Sequence, residues 1–264
     1  MASRTLWSTL AGKMWLETRW RFIAGVVLLT LLAASDVFEW VATDRLLPQI
    51  DATVISSNAS GVVASAIRDA LEAQKTFHGF IWYRGFRDNL TGLGIIFVTL
   101  IGCGGLVSET SKGSALFTLS LPVTRRQLFT ARAGVGLAQC FAIAMVPSLV
   151  FPILAPAIGQ RFTIGDALAH GLCLFIGGSL FFSLATYLST LFADIWRPLV
   201  TALVIACGVA VVSFAVPQID VFSVMNGEQY FRTGALPWIG LLTSAVLATA
   251  LLYSAADTLE RRDF

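Results

Sequence analysis

Few side chains in this 264-residue chain are of a type and spacing that could do chemistry. His170 stands in an apolar stretch, where an ionisable group can relay protons. No partner at helical spacing accompanies it inside that stretch, and Asp166 lies nearer the surface. Cys103, Cys140, Cys173 and Cys207 all fall in apolar runs and form no CxxC pair, so they read as small buried residues. Gly12-Lys13 is followed by Met and lacks the first glycine of a phosphate loop. No His/Asp/Glu constellation has metal-ligand or nucleophile spacing. Asn58-Ala-Ser60 matches a glycosylation sequon on two fixed positions only. The chain is therefore expected not to be an enzyme and to carry no metal or cofactor of its own.

The elements around these residues are set by composition. Hydrophobic residues make up 56% of the chain and charged residues 13%, and the mean hydropathy is +0.76. Soluble domains carry about 25% charge, so this chain cannot cover a water-facing surface. A net charge of +2 is too small to point to nucleic acid. An integral membrane protein remains. With about 20 residues per span, the chain length accommodates roughly six spans and no large soluble domain.

Six apolar stretches carry that expectation, at about 22–38, 90–107, 133–158, 164–192, 198–216 and 238–256. Pro152, Pro156 and Gly159 separate the third from the fourth. The runs are continuous, unlike the alternating strands of a barrel. The expected fold is all-α, a polytopic helical bundle in which 1–264 form a single transmembrane domain. The first apolar run starts late and shows no cleavage pattern, so it reads as a retained anchor. Arg4, Lys13, Arg19 and Arg21, then Lys112, Arg125, Arg126 and Arg132, then Arg197, Arg261 and Arg262 mark one side. By the positive-inside rule that side is the cytoplasm, and both termini lie there in an inner (plasma) membrane.

Residues 4–15 on a helix place Leu6, Trp7, Leu10, Ala11, Met14 and Trp15 on one half and Arg4, Thr5, Ser8, Thr9, Gly12 and Lys13 on the other. This predicts an interfacial elbow helix over 1–20. Residues 41–89 form a long extracytoplasmic loop with a helix expected over about 60–76, capped by Ser60. Its aromatic cluster Phe77, Phe80, Trp82, Tyr83 and Phe86 returns the chain to the membrane surface. In 217–237, Val221, Phe222, Val224 and Met225 dip back toward the membrane. Asp36 and Glu39 read as interfacial anchors. Gly102, Gly104, Gly105, Gly134, Gly136, Gly177 and Gly178 read as packing positions within the subunit. The spans carry almost no charge in their middles, which argues against an ion-coupled transporter.

The most distinctive stretch is 108–130. Leu116, Phe117, Leu119, Leu121 and Val123 are too apolar for a solvated linker and need a surface to bury against. Pro122 turns the chain and Thr124 is placed to cap the next helix, which begins near Gln127. The pattern Glu109…Gly113-Ser114…Leu119-Ser120-Leu121-Pro122-Val123-Thr124-Arg125-Arg126…Leu128…Arg132 resembles the signature of ABC-2 type permeases. The tail Leu259-Glu260-Arg261-Arg262-Asp263-Phe264 is similar to the basic ends of such permeases. The outer loop 41–89 departs from the family in being longer than a minimal member needs.

The resemblance implies a transmembrane subunit of an ABC exporter. Two such subunits, identical or different, pair in the bilayer on two ATPase subunits. ATP and Mg would then bind the separate ATPase chain. Segment 109–126 would be the coupling helix. Leu116, Phe117, Leu119 and Leu121 would enter a groove of the ATPase, while Glu109, Arg125 and Arg126 set the register. Spans two and five would line the substrate path. A non-transporting sensor or assembly factor of the same shape is the alternative, and an integral membrane enzyme a third reading.

Overall fold

A computed structural model describes residues 2–56, 71–103, 124–192, 194–215 and 220–261. Among these residues there is no strand. The elements are α1 (Ala2–Ser56), α2 (Phe77–Phe80), a π-helical segment (Ile81–Leu90), α3 (Thr91–Gly102), α4 (Arg125–Leu154), a 3-10 turn (Ala155–Ile158), α5 (Ile164–Leu191), α6 (Trp196–Ala215), α7 (Val221–Met225), α8 (Glu228–Thr233) and α9 (Trp238–Glu260). Among the described residues, five stretches are long and apolar enough to cross a membrane: Thr9–Leu46, Arg125–Ile158, Ile164–Leu191, Trp196–Ser213 and Trp238–Glu260.

The second expected span differs from this pattern. α3 has only 12 residues, or about 18 Å at 1.5 Å per residue, short of the roughly 30 Å hydrocarbon core. It does not start from a loop, however. Leu90 is right-handed helical at φ −72°, and the π segment runs into α3 without a break.

α1 also departs from expectation. The segment expected as an interfacial elbow helix over 1–20 runs without a break into the first span, as one helix from Ala2 to Ser56. Nothing between Lys13 and Ala24 is glycine or proline, so no residue there disfavours helix. Near its start Leu10 and Met14 pack on Leu128 and Ala131 of α4. At 55 residues the helix is about 80 Å long, far more than a bilayer needs. Its outer part therefore extends into what reads from sequence as the loop 41–89. The far end of that loop, from Phe77, is helical too. Most of the helix expected at 60–76, with its Ser60 cap, lies outside the described residues.

α5 is the centre of the bundle, with α3, α4, α6 and α9 packed around it and more of its span buried than any other. Close approach explains two glycines. A Cβ on Gly136 would lie 2.4 Å from the Phe182 ring, and one on Gly102 would lie 2.7 Å from the Phe182 carbonyl oxygen. Gly134, by contrast, faces open space, and Gly104 and Gly105 lie outside the described residues. Cys103, Cys140 and Cys173 are buried as expected, but Cys207 is exposed.

Helix ends follow local chemistry. Thr124 closes a capping box: the Gln127 amide donates to Thr124 Oγ1 at 3.3 Å, and the Thr124 amide donates to Gln127 Oε1 at 3.1 Å. α4 accepts Pro147 and Pro152 in its interior and ends two residues after Pro152. Gly159, at φ 73°, then turns the chain toward α5. Exposed Trp196 and Trp238 stand at span ends, where indoles favour the headgroup level.

Candidate functional site

Most of the segment singled out by sequence, Glu109, Gly113, Ser114, Leu116, Phe117, Leu119, Leu121, Pro122 and Val123, lies outside the described residues. Its two exit residues open α4. Arg125 is half-buried. Arg126 is exposed, with Nε 4.0 Å from Glu260 Oε1 of α9. Its charge therefore faces the tail of this chain as well as solvent.

Behind that exit, α1, α3 and α4 share a polar network. Arg21 donates from Nη1 to the carbonyl oxygens of Leu100 at 3.1 Å and Cys103 at 2.9 Å. These carbonyls stand at the end of α3, where a guanidinium complements the helix dipole. Thr18 donates to the Met14 carbonyl and accepts from Gln139 Nε2 at 2.8 Å. Glu17 lies 3.5 Å from Lys13 and 3.7 Å from Arg132. A rigid α1 is thereby tied to both flanks of segment 104–123.

The densest chemistry is at the opposite end. The backbone carbonyl of Asn226, between α7 and α8, accepts from Trp82 Nε1 at 3.2 Å and pairs with His170 Nδ1 at 3.1 Å. A carbonyl can only accept, so His170 carries its proton on Nδ1. His170 is fully buried. Phe86 stacks on it at 4.5 Å and Tyr230 meets it edge-on at 5.3 Å. The Tyr230 hydroxyl donates to Asp166 Oδ1 at 2.9 Å, and burial together with that carboxylate pushes its phenol above the usual range. Phe231 lies parallel to Trp82 at 4.4 Å and to His78 at 5.7 Å.

The π segment builds this wall. A π-helical stretch is rare, and where it occurs it is frequently at a functional site. Here Trp82 and Phe86 are buried, and Asn89 Nδ2 reaches Asp36 Oδ1 at 2.8 Å and Oδ2 at 3.0 Å. Asp36 is thus not an interfacial anchor but a buried carboxylate, 1% exposed, held by an amide on a neighbouring helix. Glu39, one turn on, is exposed and 3.4 Å from Arg84.

Sequence reasoning found His170 but no partner for it, and it passed over His78 and Asn89. The partner is a main-chain oxygen 56 residues away, which no side-chain spacing reveals. Among the described residues no group of three or more His, Cys, Asp or Glu could hold a metal. The arrangement offers flat aromatic faces, one carboxylate and a short segment clamped over them. No family model matches this chain, nor does any curated protein or solved structure.

Proposed function

We propose that this chain is the membrane subunit of an ATP-driven exporter of the ABC-2 type, working as a dimer on a separate ATPase. The observation that carries the reading is the permease-like pattern Glu109…Arg126 leading straight into a capped α4. α4 packs along α1 and along the central α5. A push on the cytoplasmic segment from a partner closing on ATP would therefore enter the bundle through stiff helices. Arg21 ties the other flank, the end of α3, to α1.

In this reading Phe77–Gly102 and the apolar residues after it form a sixth span. An even count keeps both termini on one side, and the lysine and arginine distribution puts that side in the cytoplasm. ATP and Mg belong to the partner chain.

The test is capture of the detergent-solubilised chain from its native membrane, with identification of what accompanies it. The expected companion is an ATPase, about one per permease. In that complex Leu121→Asp should abolish stimulation of ATP hydrolysis, since truncating a desolvated anchor commonly costs about 2 kcal/mol or more. Recovery of the chain alone, or with an unrelated enzyme, would favour a sensor or assembly factor of the same shape. Normal stimulation in the Leu121→Asp complex would remove segment 109–126 from the coupling role.

A further inference from the structure

The outer end carries a short helix seated on a wall of a different character. α8 has six residues and none is fully buried. It is bounded on both sides by glycines in the left-handed region, Gly227 and Gly234, each at φ 70°. The wall beneath it is deeply buried: Trp82 is 2% exposed, Phe86 and His170 0%. α8 meets this wall through two adjacent side chains. Phe231 lies 3° from parallel to the Trp82 ring and 10° from the His78 ring. Tyr230 places its hydroxyl on Asp166.

Asp166 has no cationic ion-pair partner among the described residues. Its carboxylate takes neutral donors, the hydroxyls of Thr163 and Tyr230. Asp166 lies close enough to His78 to interact with it electrostatically, and the Trp82 ring already has the Arg87 guanidinium 5.9 Å from its centroid; a carboxylate near aromatic faces that hold a cation is the chemistry that recognises an organic cation. The faces attract positive charge and flat rings, and the carboxylate selects the sign. Two side chains on a six-residue helix between glycine hinges can leave such a wall together, while the helices that form it stay packed.

We propose that His78, Trp82 and Asp166 form a binding site, open to the outer side, for a planar aromatic cation. Phe231 and Tyr230 occupy it as an internal stand-in when α8 is closed. Binding a ligand means displacing them, so the apparent affinity of the wild-type chain is lowered by the fraction of time that α8 is open.

The experiment uses the full chain in lipid nanodiscs, with rhodamine 6G as the probe, fluorescence polarisation as the readout and empty nanodiscs as the baseline. Expected is saturable binding that Phe231→Ala tightens about tenfold by removing the competitor. Tyr230→Phe, which keeps the ring and frees Asp166, should tighten it roughly threefold and carries the test if Phe231→Ala does not fold. Asp166→Asn should weaken binding at least about tenfold through loss of the charge. Pyrene-1-sulfonate, a flat aromatic anion, should not bind saturably. Three results would overturn the proposal: no saturable binding by wild type and variants alike, unchanged or weakened binding in the foldable variant of Phe231 or Tyr230, or a sulfonate that binds as well as the cation. None of these readouts depends on a bound ATPase.

Discussion

The two ends of the bundle are held by different physics. At the inner end the connecting groups are charged and partly wet: Arg21 on two carbonyls, Glu17 between Lys13 and Arg132, Arg126 near Glu260. At the opposite end the buried groups are mostly aromatic, and two of them, Trp82 and His170, meet on one backbone oxygen, that of Asn226. Charged contacts in a high dielectric are weak singly and easily exchanged. Buried hydrogen bonds and stacked rings are costly to break but release together. In the proposed reading the inner end thus suits exchange with a soluble partner, and the outer end a seal with closed and open states.

The largest effect is expected where the outer seal is tightest. Gly227 has φ 70°, and a Cβ there would lie 2.6 Å from His170 Nδ1. Gly227→Ala combines backbone strain with a clash against a buried ring, about 3 kcal/mol together. Gly234 has the same φ with nothing within 4 Å, so Gly234→Ala should cost only the strain, about 1 kcal/mol. Thermal unfolding of the two variants in the same lipid separates the contributions. Equal losses would show that the contact with His170 carries nothing.

Asn89→Leu comes next. It strips the buried Asp36 carboxylate of its amide and should cost about 2 kcal/mol. Asp36→Leu with Asn89→Leu should recover much of that, because two apolar partners leave nothing unsatisfied. A double variant no more stable than Asn89→Leu alone would mean that the pair does not act as a unit.

Much of the bundle was legible before any coordinates. α4, α5, α6 and α9 begin and end within a few residues of the apolar runs, apart from α4's early start at Arg125, because continuous apolar side chains leave a helix few alternatives in lipid. Thr124 was readable as a cap from its position after Pro122. Three features were not. Asp44 and Arg45 make the outer part of α1 look like loop, yet a helix already nucleated by its packed inner half extends cheaply through polar residues. The π segment has no composition of its own. The outer cluster joins residues near 36, 80, 166 and 228 through a carbonyl and ring faces, and neither has a sequence spacing to detect.

At the inner end the effects on stability shrink while those on partner engagement should not. Arg21→Met leaves the last carbonyls of α3 without their guanidinium and should cost about 1 kcal/mol. Arg21→Lys recovers part of it, since one ammonium can reach a carbonyl but lacks the planar fork. The same ordering, wild type above Lys above Met, is expected in partner-stimulated ATP hydrolysis if α1 holds the end of α3 during coupling. A stability loss without that ordering would make Arg21 a helix cap and nothing more.

Arg126→Ala is the smallest change in stability and the sharpest test of the contrast. Its pairing with Glu260 is 4.0 Å long and solvent-exposed, so its removal should shift unfolding by no more than about 0.5 kcal/mol. If the charge serves register on a partner ATPase, capture of that partner should nonetheless weaken, and more so at low salt, where an exposed charge acts farthest. Glu260→Ala, which removes the intramolecular competitor for Arg126, should leave capture unchanged or strengthen it. Weakened capture from Glu260→Ala and from Arg126→Ala alike would instead make the pair one internal clasp between α4 and α9, and would take Arg126 out of the partner interface.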